Sequence, residues 1–323
     1  MKSVLSIQSH VCHGYVGGKA AVFPLQCQGW EVDNINTVEF SNHTGYGAFN
    51  GSPVTASLLD QLFHGLIKSD ASYDAVISGY MPNDFVISKC CEGVKHLKER
   101  NPNLMYLLDP VIGDEGHIYV DSSCLEGYRK VLKKRIVDIL TPNQFELELL
   151  LGCQIVSISD LKKMFPILHE KYGIRYVIIS SLKDFCKNNE NIIYCAASDS
   201  RRIYLFKIPL IKSYFTGIGD LFSALLLDKI FDNINSQVVM SSVLPRAVNQ
   251  VLTIIQKCLH LTYKLGTEQY CKEMTIPVSR FAGLVGQINN KLMGFFELKI
   301  IEAKNLYSFN GDGEFPIESF ESN

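Results

Sequence analysis

The segment with the most chemistry to offer is Thr216-Gly217-Ile218-Gly219-Asp220-Leu221-Phe222. Two glycines at i and i+2 let the backbone turn with its amides exposed, and the apolar stretch Leu221–Phe231 follows as a buried helix. Amides and a positive helix end then converge on one point, which suits an anion. A carboxylate in that first turn would repel the anion if binding were its only task. Asp220 makes sense as a base that takes a proton from a hydroxyl attacking phosphorus. As a plain first-turn acid or N-cap it would be commonplace.

Two further groups lie after strands. Leu108-Asp109-Pro110-Val111-Ile112-Gly113-Asp114 ends a strand with an acid, stops it at Pro110 and adds a second acid. Paired carboxylates at such a crevice suit a cation. Thr141-Pro142-Asn143-Gln144-Phe145-Glu146 offers a hydroxyl, an amide and a carboxylate at the start of a helix, where capping by Thr141 or Asn143 is the bland alternative. Two phosphate motifs fail. Gly17-Gly18-Lys19-Ala20 has Ala20 where a P-loop needs Ser or Thr, and Gly45-Tyr46-Gly47 loses its G-x-G-x-x-G pattern at Asn50.

These turns need a scaffold. Val4–Ile7, Val32–Val38, Ala75–Ser78, Met105–Asp109, Ile136–Leu140 and Tyr176–Ser180 read as strands. Helical patterns over Asn83–Arg100 and Asp160–Tyr172, the latter with Ser159 as N-cap, alternate with them, which implies βαβ units and a mostly parallel sheet. Ile192–Ala197 and Ile203–Ile208 read as a late hairpin. The order predicts one domain over residues 1–308 and a loosely held tail over 309–323. Lys and Arg number 31 against 33 Asp and Glu, so the electrostatic footprint of a nucleic-acid binder is missing. No apolar run reaches membrane-span length, and the N-terminal apolar run is too short for a signal peptide. Ten scattered cysteines without metal spacing read as reduced, and a cytoplasmic protein is the expectation.

Taken together the residues resemble the ribokinase superfamily of ATP-dependent small-molecule kinases, and within it the pyridoxal kinases. The similar stretches are Leu5–Val11, Gly14–Gly17, Phe40–Tyr46, Ser78–Tyr80, Asp109–Asp114, Thr141–Glu146 and Gly219–Phe222, in order over about residues 3–230; Glu297–Ile301 resembles the family's last strand. The resemblance implies an α/β, ribokinase-like three-layer sandwich with a mainly parallel central sheet. It implies transfer of the ATP γ-phosphoryl to the 5′-hydroxyl of pyridoxal, pyridoxine or pyridoxamine, with Mg²⁺ and a monovalent cation (K⁺ or Na⁺), in a homodimer.

Site roles carry over position by position. Asp220 matches the general base, and Gly217, Ile218 and Gly219 the anion hole. Ser9, Thr44 and Tyr80 match positions that hold the pyridine ring, with Val16, Val38, Phe40 and His43 as the wall. Asp109 and Thr141 match positions near a monovalent cation and the phosphates. Asp114 matches a magnesium site, and Asn143 and Glu146 the segment that supports Mg·ATP. Tyr119, in the stretch 113–121, matches the loop over the nucleotide. Ser180, Ser181, Ile211, Ser213 and Phe215 match the nucleotide side. The family usually has Thr at Ile218 and often at Ile179, which puts two hydroxyl contacts in doubt. A kinase for another small alcohol, such as hydroxymethylpyrimidine, and a vitamer-binding pseudokinase are the alternatives.

Overall fold

Val4 and Leu5 are neighbours, both 0% exposed, yet they enter different cores. A strand with a buried face on each side reads as a continuous apolar run, because successive side chains point to opposite faces. The same division recurs at Val76 and Ile77, at Tyr106 and Leu107, and at Ile139 and Leu140. A computed structural model describes residues 2–183, 185, 191–236, 239–278, 281 and 290–321. Its strands are β1 (Lys2–Val11), β2 (Trp30–Phe40), β3 (Gly51–Pro53), β4 (Ala75–Ser78), β5 (Met105–Leu108), β6 (Gly113–Asp114), β7 (His117–Ile118), β8 (Ile139–Leu140), β9 (Tyr176–Leu182), β10 (Ile192–Ser198), β11 (Arg202–Pro209) and β12 (Ile317–Glu321). A ten-stranded sheet runs β12-β11-β10-β9-β8-β5-β4-β1-β2-β3, and β6 and β7 form a separate hairpin. Pairing is parallel from β9 through β8, β5, β4 and β1 to β2 and antiparallel at both edges.

Helices cover both faces. Side chains of α2 (Ala56–Lys68), α3 (Asp84–Arg100), α4 (Ser123–Lys133), α5 (Gln144–Leu151) and α6 (Ile158–Pro166) fill the first core. Those of α1 (Gly18–Cys27), α7 (Ile218–Asn235) and α8 (Met240–Glu273) fill the second, and α9 (Asn290–Phe295) packs on α8. This is the expected three-layer α/β sandwich. It sets the loops after β1, β4, β5 and β8 along one edge of the sheet, where ligands of such folds bind.

Four expectations change. Only Ile139–Leu140 of 136–140 is strand, because the Asp138 carboxylate instead accepts from Lys98 Nζ and the Tyr106 amide. The helix expected from Asp160 starts at Ile158 behind Ser157, not Ser159, and its end over Ile167–Lys171 widens into a π-helical turn after Pro166. Residues Ile317–Glu321 are no loose tail: they pair with β11, and the Phe315 backbone is held at both ends by the Asn249 side chain. Residues 322–323 lie outside the described residues. Glu297–Ile301 is not a strand; Leu298 and Ile300 enter the second core from irregular backbone.

Candidate active site

Two glycines with positive φ lock the centre of the site. Gly17, at φ 57°, caps the start of α1, and a Cβ there would lie 2.2 Å from both Ser9 O and Ser9 Oγ. Gly217, at φ 80°, caps the start of α7, and a Cβ there would lie 2.2 Å from Tyr15 O. Only glycine takes this backbone and this proximity. Among the described residues no side chain caps the N-terminus of α7, so the amides of Ile218 and Gly219 are left for an anion. In that first turn Asp220 Oδ2 accepts from the Gly17 amide at 2.8 Å. Burial pushes the Asp220 carboxyl up to about 6, against hydrogen bonds from the Gly17 amide and its own amide.

Asp109 ends β5 beside this turn. Its Oδ2 accepts from Ser223 Oγ at 3.2 Å, and Ser223 Oγ is 3.0 Å from Thr141 Oγ1. A Cβ on Gly219 would lie 3.6 Å from the same carboxylate. Burial, then the charges of Glu146 and Asp220, raise the Asp109 carboxyl well above its usual range. Glu146 closes a capping box with Asn143 at the start of α5. It accepts from the amides of Asn143 and Ile112 at 2.9 Å and of Gly113 at 3.4 Å, so it also ties down the loop after β5. Its carboxyl is pushed up to about 7 by burial, against these amides. Asp114 carries a raised carboxyl too, through burial, although Lys183 opposes it. Among the described residues no tight cluster of three or more His, Cys, Asp or Glu forms a ready metal cage. The oxygens of Asp109, Asp114, Thr141 and Glu146 are of the hard kind that suits Mg²⁺ or K⁺, and the mutual repulsion of the acids is what a cation relieves.

On the side expected for nucleotide, β6 and β7 form a flap whose Tyr119 is 57% exposed. Tyr119 lies close enough to Asp114 and Tyr214 for their charges to help raise its phenol, after burial, to about 12. This brings the flap towards the segment of Ile211, Ser213 and Phe215. Ser180 N donates to Pro142 O at 3.1 Å, which sets Ser180 and Ser181 beside the Thr141–Asn143 turn. Ile179 is wholly buried in the first core, so the hydroxyl on the other face of β9 is that of Ser180. Ile218 packs partly against the second core.

On the ring side, Ser9 and Val16 are buried against the Gly17 and Gly217 turns. The carbonyl of Tyr80 accepts from Thr37 Oγ1 at 2.7 Å, and burial raises the Tyr80 phenol. Val38 is buried, Phe40 packs on Phe49, and His43 accepts from the Gly45 amide with its imidazole pushed down by burial. Thr44 is exposed on the short turn that follows. Contacts thus join Ser9, Val16, the two glycine turns, Asp220 and Asp109, and Ser223 bridges Asp109 to Thr141. Phe40, His43 and Thr44 form a second group, tied to the loop after β1 by the Cys12 amide on Phe40 O and the His13 amide on Ser41 O, both at 2.9 Å. The sequence reading missed Ser223, a polar residue inside the apolar Leu221–Phe231 run and so visible in principle. It also missed Gln8, 1% exposed and without a hydrogen-bond partner for its amide among the described residues, and Glu297, bonded to Tyr46.

The family model for phosphomethylpyrimidine kinase matches residues 26–271. The pyridoxal kinase of Arabidopsis thaliana is 41% identical over 245 residues, 72% of this chain and 76% of that one. The pyridoxal kinase of Dictyostelium discoideum is 34% identical over 312 residues, 93% of this chain and 94% of that one. Among solved structures, pyridoxal kinase from Leishmania donovani in complex with ADP and pyridoxamine superposes with a TM-score of 0.82 at 25% identity, over 99% of this chain and 100% of that one.

Proposed function

The chain belongs to the pyridoxal kinases, within the phosphomethylpyrimidine kinase family, and we propose that it carries the reaction on Asp220. It is an ATP-dependent kinase of vitamin B6 vitamers, acting on the 5′-hydroxyl of pyridoxal, pyridoxine or pyridoxamine. The vitamer oxygen bonds to the γ-phosphorus, the bond from that phosphorus to the β–γ bridging oxygen breaks, and ADP leaves. The hydroxyl proton passes to Asp220. The observation that carries this reading is the Asp220 carboxylate fixed by Gly17 at the uncapped end of α7. There a base and anion-binding amides share one point, which lowers the cost of developing charge without reorganisation.

The proposed roles follow the geometry. Gly217, Ile218 and Gly219 offer backbone amides to the phosphates. Ser9, Thr44 and Tyr80 hold the ring between Val16, Val38, Phe40 and His43. Asn143, Ser180, Ser181, Tyr119, Ile211, Ser213 and Phe215 flank the nucleotide. A magnesium ion bound with ATP would neutralise phosphate charge; Asp114 is the residue best disposed to hold it, with Asp109, Thr141 and Glu146 nearby. Asp109 and Thr141 would hold the monovalent cation. Residues 1–308 together with β12 act as one kinase domain, in a homodimer whose sites are each complete in one subunit. Nine described cysteines are all free, consistent with a cytoplasmic protein, and no described helix is long and apolar enough to cross a membrane.

A coupled ATPase assay with pyridoxal, pyridoxine, pyridoxamine and hydroxymethylpyrimidine tests the reading. Turnover with the three vitamers above the pyrimidine is expected. Preference for the pyrimidine would move the chain to the other specificity, and vitamer binding without turnover would make it a pseudokinase. Sedimentation at micromolar concentration showing monomer alone would remove the dimer.

A further inference from the structure

Glu297 follows α9, in a part of the chain to which the motifs assign no chemistry. Its side chain is 11% exposed, and its Oε1 accepts from Tyr46 Oη at 2.5 Å. The same oxygen lies 3.8 Å from His13 Nε2, and the rings of His13 and Tyr46 meet edge-on with centroids 6.2 Å apart. Gly14, at φ 95°, lies directly on the carboxylate: a Cβ there would fall 2.5 Å from Oε1 and 3.1 Å from Oε2. One carboxylate therefore touches two loops at once. The loop of His13 and Gly14 goes on to Val16 and to Gly17, whose amide bonds Asp220. The loop of Tyr46 carries His43 and Thr44. Both leave the sheet edge after β1 and β2. Backbone pairing joins them as far as the His13 amide on Ser41 O, at 2.9 Å, and beyond that point the Glu297 carboxylate ties Gly14 to Tyr46.

A carboxylate so nearly buried is costly without partners, so the tie to Tyr46 is strong in both directions. Burial and Glu297 together push the Tyr46 phenol up, so it stays a donor. The neighbouring segment adds support, with Met293 Cε 3.3 Å from a Cβ on Gly45.

We propose that Glu297 is a positioning residue that clasps the two vitamer-side loops together and so sets affinity for pyridoxal while leaving the nucleotide side alone. This rests on the pyridoxal kinase reading above. An ordinary packing tie would lower stability and would treat both substrates alike. A clasp on these two loops acts on one substrate.

The test is steady-state kinetics together with calorimetric binding of pyridoxal and of a non-hydrolysable ATP analogue. The chains compared are wild type, Glu297→Ala, Glu297→Gln, Tyr46→Phe and the Glu297→Ala/Tyr46→Phe double variant. Glu297→Ala and Tyr46→Phe should each raise the pyridoxal KM and Kd about tenfold, with the nucleotide constants within about twofold. Glu297→Gln should stay within about threefold of wild type, because its carboxamide oxygen still accepts from the phenol. The double variant should cost about as much as either single change. Unchanged pyridoxal constants, parallel losses for both substrates or additive losses would each overturn the clasp. If Glu297→Ala fails to fold, Tyr46→Phe and Glu297→Gln carry the same contrast. Wild type that neither phosphorylates nor binds pyridoxal sinks the kinase reading and the clasp with it. Active wild type with flat variants sinks the clasp alone.

Discussion

Asp220 takes its 2.8 Å hydrogen bond from the amide of Gly17, 203 residues earlier in the chain. The contact joins the start of α7 to the loop that leaves β1. It orients the carboxylate, and together with the bond from the Asp220 amide it opposes the burial that would otherwise raise the carboxyl further. Base, anion-binding amides and one wall of the ring site are thereby fixed by a single backbone approach. That approach exists only because Gly17 and Gly217 have no side chains.

Asp220→Asn tests the base. Asparagine keeps the size and one acceptor oxygen but takes no proton at neutral pH. Turnover should fall by about 10²–10⁴, while ATP and pyridoxal still bind. A carboxyl at about 6 also gives wild type an acid limb: rates fall as pH drops through that value and the base is protonated. The limb should be absent in Asp220→Asn. Near-normal turnover in the variant, with unchanged thermal stability, would reduce Asp220 to a helix-terminus acid.

Much of this was legible because it is local. The Gly-x-Gly-Asp turn, the Asp-Pro strand end and the Thr-Pro-Asn-x-x-Glu cap are contiguous, and their chemistry follows from residue type and spacing. The alternation of buried runs with helical patterns gave the parallel sheet. Long-range partners were not legible. Tyr46 and Glu297 are 251 residues apart, and no periodicity links them. β12 reads as loop because Ile317-Glu318-Ser319-Phe320-Glu321 lacks alternation, and it exists because β11 offers an edge. Glu146 was legible as a carboxylate at a helix start, but not as the acceptor for the amides of Ile112 and Gly113.

The two glycines of the α7 turn should separate in their effects. Gly217→Ala forces a methyl into the Tyr15 carbonyl at a positive φ, which strains backbone by roughly 1–3 kcal/mol. It should lower both thermal stability and turnover. Gly219→Ala meets only the Asp109 carboxylate at 3.6 Å, an ordinary contact, on an exposed surface. It should melt as wild type does yet raise the ATP KM, since its methyl stands where the phosphates approach. Equal melting losses in both variants would contradict this division.

His169 predicts a pH dependence of stability remote from the site. Its Nδ1 donates to Ile174 O at 2.6 Å, and its Nε2 accepts from Ser198 Oγ and the Ser200 amide. Burial lowers its imidazole below the usual 6.5. A base depressed in the folded state contributes stability above its unfolded pKa, and that contribution is lost as pH falls below it. Urea denaturation should therefore find wild type ahead of His169→Phe at pH 8 by about 1–3 kcal/mol, with the gap shrinking at pH 5.5. Acids elsewhere affect both chains equally and cancel in the difference. Parallel curves would remove His169 as the source.

The acids behind the α7 turn give the opposite sign and a test for the cations. Asp109 is raised by burial and by Glu146 and Asp220, and Glu146 is raised by burial to about 7. An acid raised in the folded state favours folding at low pH, and the benefit is lost as pH rises through the folded pKa. At pH 8 the folded chain must hold these carboxylates charged side by side, and a bound cation offsets that repulsion. Potassium chloride should therefore raise the melting temperature over tetramethylammonium chloride at equal ionic strength. The rise should be several degrees at pH 8 and much smaller at pH 5.5, where protons already occupy the site. Asp114→Ala should leave the potassium effect intact while raising the KM for Mg·ATP. Glu146→Ala should do the same to Mg·ATP but also lower the melting temperature, because the amides of Ile112, Gly113 and Asn143 lose their acceptor. A potassium shift equal at both pH values would mean that these acids are not where the cation binds.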